Sequence, residues 1–311
     1  MDGAFLVYKP QDITSFAVIE QMRRRLLEAG IDKKALPALG HAGTLDPFAD
    51  GLLVVLCGRG VKLSRYFLDS NKTYEATILL GGTNRPGDPT EPILESAPVP
   101  KGLTLPDLQA QADQMRAEDY WQTPPMHSAK KKDGKPLYLL ARKGIEIERK
   151  PELKEIFNFS VSNLEILSAS DQARFKIHVQ CSSGTYVRTL AQDFAKKLGT
   201  LGMLTTLRRT QVGSFLLKDS ILLDTLLNTL PNFPDVAGFI GFDQLLSDLP
   251  TLEVSELEEE KIKSGLQRDL GFWLHRLPGA RERVVLKRNG KLLAIAHEAT
   301  PKRWLLERVF I

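Results

Sequence analysis

Between Gly40 and Gly51 the chain reads Gly-His-Ala-Gly-Thr-Leu-Asp-Pro-Phe-Ala-Asp-Gly, then runs straight into the apolar stretch Leu52–Cys57. A glycine-framed loop thus hands over to what reads as a buried strand. Gly40, Gly43 and Gly51 let the backbone turn sharply or lie close to a ligand, and Pro47 fixes the dihedral after Asp46. The layout suits a loop that presents one carboxylate, Asp46, and one imidazole, His41, to a bound molecule. Taken alone, an isolated Asp-Pro is better read as a turn in which Asp46 caps its own backbone.

A chain of 311 residues has room for one large domain and a smaller one. Its apolar content of 42% and charged content of 26% are those of a globular protein. The longest apolar tracts are strand-sized, well short of the ~20 residues that span a bilayer. The start, Met-Asp-Gly-Ala-Phe-Leu-Val-Tyr-Lys-Pro, lacks the basic opening and apolar length of a signal peptide. Cys57 and Cys181 both lie in apolar segments, where they pack as buried thiols rather than forming a disulfide or metal site. A cytoplasmic location is expected.

The net charge of +4 says little, but its distribution says more. Residues 128–150 carry eight basic and three acidic side chains, and residues 281–311 repeat that ratio. Two separate basic patches suit a surface that tracks phosphates at two places; a solvated loop and a solvated hairpin would look the same.

Local patterns organise the chain. Phe5–Tyr8 reads as a strand, followed by a helix capped at Thr14 or Ser15, with Phe16, Ile19, Met22 and Leu26 inward and Gly30 at its end. Tyr74, Ala76, Ile78 and Leu80 alternate on one strand face, as do Phe175, Ile177, Val179 and Cys181 on another. Residues 81–100 read as loop, and 105–116 as helix. After the turn Ser182-Ser183-Gly184 a helix follows, with Val187, Leu190, Ala191, Phe194 and Leu198 inward and Arg188 just off that stripe. Residues 204–217 read as two strands broken near Gly213. From about 245 a small unit has an acidic helix, an Asn289-Gly290 hairpin and a last strand at 304–310.

No phosphate-cradling glycine loop, metal-spaced His/Cys set or nucleophile elbow is present. The remaining polar residues at element ends are Lys9, His41, Asp46, Tyr74 and Arg188. One acid, one phenol and one guanidinium suit a cofactor-free rearrangement, though spacing does not say which.

Six ordered blocks supply the rest. They are Lys9-Pro10; His41–Leu56; Lys72-Thr73-Tyr74; Pro124-Pro125 with Ser128-Ala129, Lys131, Gly134, Tyr138 and Ala141-Arg142; Cys181–Arg188; and Leu207-Arg208-Arg209-Thr210 with Gly213. Together they resemble the bacterial TruB family of tRNA pseudouridine-55 synthases. The resemblance implies an α+β pseudouridine synthase fold, with a mixed, largely antiparallel central sheet flanked by helices and loops. It divides the chain into a catalytic domain at 1–244, bearing an RNA-binding thumb at about 124–150, and a small β-rich PUA-like domain at 245–311.

The resemblance also assigns roles. Asp46 is the essential carboxylate acting on a flipped uridine, Arg188 pairs with it, and Tyr74 stacks under the uracil. His41 enters the T-loop of the tRNA and Leu207 lines the uracil pocket. Lys130, Lys131 and Lys132 grip RNA, while Lys9 and Gly43 support the site. No cofactor and no metal are implied; the expected partner is the T-arm of tRNA, with no membrane and no protein partner required, for a monomer.

The chain departs from the family at Thr83-Asn84-Arg85-Pro86-Gly87-Asp88, where only Asp88 of an acidic stretch is in place, at His127, and at Leu153-Lys154 where an Arg often stands. Those changes bear on RNA contacts. Three other readings compete: an RNA-binding or tRNA-folding protein without catalysis, the guide-RNA-dependent archaeal and eukaryotic relative, and a uracil glycosylase acting on DNA. The intact Asp46, Tyr74 and Arg188 speak against a pure binder. The guide-dependent relative brings basic extensions, whereas a first strand at Phe5–Tyr8 lies only a few residues from the start of this chain. The glycosylase needs a water-activating residue that has no counterpart here.

Overall fold

A computed structural model describes residues 2–128, 130–132, 135–141, 143–167, 170–230, 236, 238–265, 283–300 and 303–311. Its main sheet runs in the order Ile156–Leu167, Gln172–Cys181, Lys72–Leu80, Gly202–Val212, Asp50–Cys57, Gly3–Lys9, Ile221–Leu222. Neighbours are antiparallel except at two joints, where Gly202–Val212 meets Asp50–Cys57 and Gly3–Lys9 meets Ile221–Leu222. The sheet is mixed and largely antiparallel, as expected.

Its middle explains the unbroken apolar run. Leu52, Val54 and Leu56 enter a core shared with Phe67 and, from the C-terminal strands, Val285, Ile295 and Phe310. Leu53, Val55 and Cys57 point the other way, onto Val18, Ile19, Met22 and Leu26 of the helix Ser15–Glu28. A strand buried on both faces has no polar face to show. At the far end of the sheet, Ile78, Phe175 and Val179 pack with Leu190 and Phe194 of the helix Val187–Lys197 and Leu108 of the helix Leu105–Ala117.

The first helix corrects one expectation. Phe16 is 62% exposed, and the inward arc is Ser15, Val18, Ile19, Met22 and Leu26. Ser15 turns in because its Oγ accepts from the Leu45 amide at 2.8 Å and donates to the Leu45 carbonyl at 3.1 Å. Two bonds to the Asp46 loop thus set the helix rotation, and Phe16 is turned outward.

The C-terminal strands form a separate sheet, Thr251–Glu253, Arg283–Arg288, Lys291–Thr300 and Arg303–Val309, beside the capped acidic helix Glu256–Lys263. Phe310 seats it on the body, edge-on to Phe242 at 5.1 Å, and the Phe310 carbonyl accepts from Arg59. The basic excursion leaves the body along Tyr120–Gln122 and returns along Glu152–Lys154, which pair antiparallel. Between them lie a short ladder, Lys131–Lys132 with Lys135–Pro136, and the helix Leu137–Ala141. Ala129, Gly134 and Arg142 lie outside the described residues, as do the side chains of Lys131, Lys132 and Tyr138.

Candidate active site

The loop before Asp50–Cys57 is held from three sides. Lys9, wholly buried, sends Nζ to the carbonyls of Pro10 and Ile13 at 2.8 Å and of Pro47 at 3.3 Å. The Asp12 amide also donates to the Pro47 carbonyl at 2.8 Å. Gly43 and Gly51 sit at φ +104° and +111°, conformations only glycine adopts without strain, whereas Gly40 lies in ordinary strand backbone. Burial lowers the Lys9 pKa to about 8, with Asp50 and Asp46 working against the drop. Its ammonium is charged at neutral pH and spent on backbone carbonyls.

Asp46 sits at the floor of this loop with 32% of its side chain exposed, and Arg188 grips it. Arg188 Nε donates to Oδ2 at 2.9 Å and Nη2 to Oδ1 at 3.1 Å, the parallel fork of a bidentate pair. Nη1 donates to the Pro86 carbonyl at 2.9 Å and Nη2 to the His127 carbonyl at 2.8 Å. Nη1 also lies 3.4 Å from Asp88 Oδ2. Of the five N–H groups of a guanidinium, four donate hydrogen bonds here, and Asp88 adds an ion pair. Arg188 is 4% exposed, so no rotamer freedom remains. Burial pushes the Asp46 pKa up, Arg188 opposes that, and the second carboxylate, Asp88, adds to it.

Asp88 is delivered by a loop that Asn84 organises. Asn84 Nδ2 donates to the carbonyls of Asp88 and Glu91, both at 2.7 Å, while its Oδ1 accepts from the amides of Gly87 and Asp88. An amide both donates and accepts, which a carboxylate cannot do. The departure at 83–88 therefore keeps the loop closed by other means.

Tyr74, partly buried, lies on the neighbouring strand directly across from Arg209. Burial raises its hydroxyl pKa and the Arg209 charge opposes that. His41 stands on the short strand Leu39–His41, beside the loop. Burial and then the Arg209 charge lower its pKa, so the imidazole is neutral at pH 7. Leu207 is buried in the core with Leu45 and Phe48 of the Asp46 loop. Lys130, exposed, is paired with Glu152 across the base of the excursion. The structure thus brings Lys9, Gly43, Asp46 and Arg188 into one site with Tyr74 facing it, and leaves Lys130 outside it.

Sequence reasoning missed Asn84, Asp88 as a contact of Arg188, and Arg209. It also missed a brace behind the loop, in which Arg208 grips Asp50 at 2.7 and 2.8 Å and Tyr8 donates to Asp50 at 2.8 Å. Burial works against it, yet those bonds hold the Asp50 pKa below the usual carboxylate range. The adjacent pair Arg208-Arg209 was the available signal.

Residues 32–187 match the family model described as "TruB family pseudouridylate synthase (N terminal domain)". The chain belongs to the TruB family. One TruB relative, the tRNA pseudouridine synthase B of Psychrobacter cryohalolentis, is 39% identical over 265 residues, 85% of this chain and 70% of that protein. The enzyme of the same name from Geobacillus thermodenitrificans is 33% identical over 97% of both chains. Among solved structures, a chain of an H/ACA ribonucleoprotein bound to a substrate RNA containing 2'-deoxyuridine superposes with a TM-score of 0.65 at 17% identity, covering 99% of this chain and 85% of that one. A Cbf5–Nop10–Gar1 complex gives 0.64 at 18% identity with the same coverage. At such identity these two establish the fold alone: a mixed central sheet with a β-rich C-terminal unit.

Proposed function

We propose that this TruB-family chain converts the uridine at position 55 of the tRNA T-loop to pseudouridine, with Asp46 as the essential carboxylate. The names of its relatives supply the reaction. The observation that carries the assignment to Asp46 is the Arg188 fork, which fixes one carboxylate in the loop and leaves part of it open. On this reading Asp46 acts on the flipped nucleotide, by attack at the anomeric carbon or by otherwise promoting cleavage of the C1'–N1 bond. The freed uracil turns and joins C1' through C5; the C5 hydrogen leaves and N1 gains a proton. Product and substrate are isomers, so no oxidant or group donor is required.

Tyr74 would stack under the uracil, Leu207 would line its pocket, and His41 would enter the T-loop and hold the base out. A neutral imidazole suits insertion among bases. Lys9 and Gly43 keep the loop in shape. The thumb, with Lys130, Lys131 and Lys132, and the C-terminal unit from 245, taken as PUA-like, would hold the RNA backbone. We place the enzyme in the cytoplasm as a monomer that needs no protein partner. Because C5 loses its hydrogen, tRNA labelled with tritium at uridine C5 must release label to water on incubation with the chain. One equivalent per tRNA is expected, and none would refute the reading.

Two variants probe the parts. Replacing Lys130, Lys131 and Lys132 with Gln should flatten the log–log salt dependence of tRNA binding by up to about three contacts, at ~0.7–0.9 per phosphate. Since Lys130 is engaged with Glu152, a loss nearer two contacts is the expected result, and an unchanged slope would remove the run from the interface. Arg188→Lys keeps the charge but loses the fork. Single-turnover rate should fall about a hundredfold while tRNA affinity stays within a few-fold, a magnitude like that of losing one preorganised donor. A wild-type rate would take Arg188 out of the site.

A further inference from the structure

Arg209 is among the largest fully buried side chains of the described residues, 1% exposed, and among those residues no carboxylate pairs with it. Burying an unpaired guanidinium is costly, and a methionine would fill a strand position of that volume without the cost. What the guanidinium touches gives it a purpose. Nε donates to the Leu52 carbonyl at 2.8 Å and Nη2 to the Gly43 carbonyl at 3.0 Å, so the side chain crosses from its own strand to the Asp46 loop. Its backbone pairs with Tyr74 on one side and, in the parallel joint, with Gly51 on the other. Side chains directly opposite on adjacent strands share a face. The residue therefore touches both ends of the loop and stands beside the phenol.

We infer that Arg209 is a positioning residue of the isomerisation, whose guanidinium holds the Tyr74 side chain and the Gly43 turn in one frame around the target base. The inference rests on the uridine reading above and adds a residue to it. Among the described residues the charged or titratable groups with the largest effect on the Tyr74 hydroxyl are Arg209 from one neighbouring strand, Cys181 from the other, and Asp46 from the loop. Burial raises the Tyr74 pKa, and of these three groups Arg209 is the cation that opposes the rise. The same charge adds to the burial that keeps His41 neutral. Arg209 contacts no solvent-facing surface, so it acts through Tyr74 and the loop rather than on the RNA.

The test uses the full chain with 3-fluorotyrosine incorporated, which brings phenol ionisation into a pH range the fold tolerates; Tyr74→Phe assigns the Tyr74 fluorine signal. In Arg209→Met the Tyr74 titration should move up by about one pH unit, as expected for loss of a neighbouring opposite charge. Single-turnover tritium release should fall about a hundredfold, the range of a misplaced proton-transfer group, with tRNA affinity within about twofold of wild type. Arg209→Lys restores the charge without the fork, so it should return the titration to near its wild-type midpoint and only part of the rate. An unmoved Tyr74 midpoint in Arg209→Met, or a wild-type rate there, overturns the inference. Should Arg209→Met not fold, Arg209→Lys decides: a full wild-type rate overturns the inference and a partial one supports it. Wild-type chain that releases no tritium would refute the uridine reading instead, and the Tyr74 titration would still decide what Arg209 does.

Discussion

Asp46→Asn should abolish pseudouridine formation and leave tRNA binding close to wild type. The substitution removes charge and little else. Asn has nearly the volume of Asp and suits a turn as well, and the loop around it is anchored by backbone groups at Pro47, Gly43 and Ala42 that do not involve the carboxylate. One Arg188 donor would lose its acceptor, while its bonds to the Pro86 and His127 carbonyls remain. Phosphate contacts supply most of the affinity, so binding should hold, or tighten slightly with one negative charge gone. If Asp46 only capped its own turn, the variant would retain most activity and lose a little stability. A single-turnover assay with excess enzyme separates the two cases because it ignores product release. A rate within about tenfold of wild type, less than ~1.4 kcal/mol of barrier, would end the assignment.

Gly51→Ala should be among the most destabilising single substitutions available in this chain. At φ +111° a Cβ would sit 2.4 Å from the Arg209 carbonyl oxygen and 2.7 Å from its amide nitrogen. Both are backbone atoms of the parallel joint, so neither can swing aside. Left-handed strain costs about 1–2 kcal/mol, and overpacking adds roughly 1–3 kcal/mol. The total, about 2–5 kcal/mol, is a large share of the ~5–15 kcal/mol that holds a domain folded. Gly30→Ala is the control: its φ is +85°, yet nothing lies within 4 Å of the added carbon, so it should lose the strain term alone. Urea unfolding of the two variants reads the difference. Equal losses would mean that the joint at Gly51 can open without penalty.

What the sequence made legible was what local chemistry decides. The alternation at 74–80 and 174–181 and the helical stripe from Val187 appear in the structure as the core faces they suggested. The edge strand Ile156–Leu167 escaped because two register shifts, with Asn163 at φ 54° in the second, break its period. Phe16 misled because its helix takes its rotation from Ser15, bonded to a loop thirty residues away. Arg208 and Arg209 are neighbours of the same type, and alternation leaves one half exposed where it grips Asp50 and buries the other against Gly43 and Leu52. Which of the two faces inward is set by strands distant in sequence. Asp88 was noted as a remnant of an acidic stretch, but its approach to Arg188 depends on how Asn84 closes the loop.

The central claim is that this chain makes pseudouridine at one uridine of tRNA. Its most direct test is nucleotide-resolution mapping of pseudouridine in an unmodified tRNA transcript after incubation with the purified chain. The account predicts conversion of the T-loop uridine at position 55 alone, and none in a transcript with cytidine there. Pseudouridine at other positions with uridine 55 untouched, or none at all in a correctly folded transcript, would contradict it.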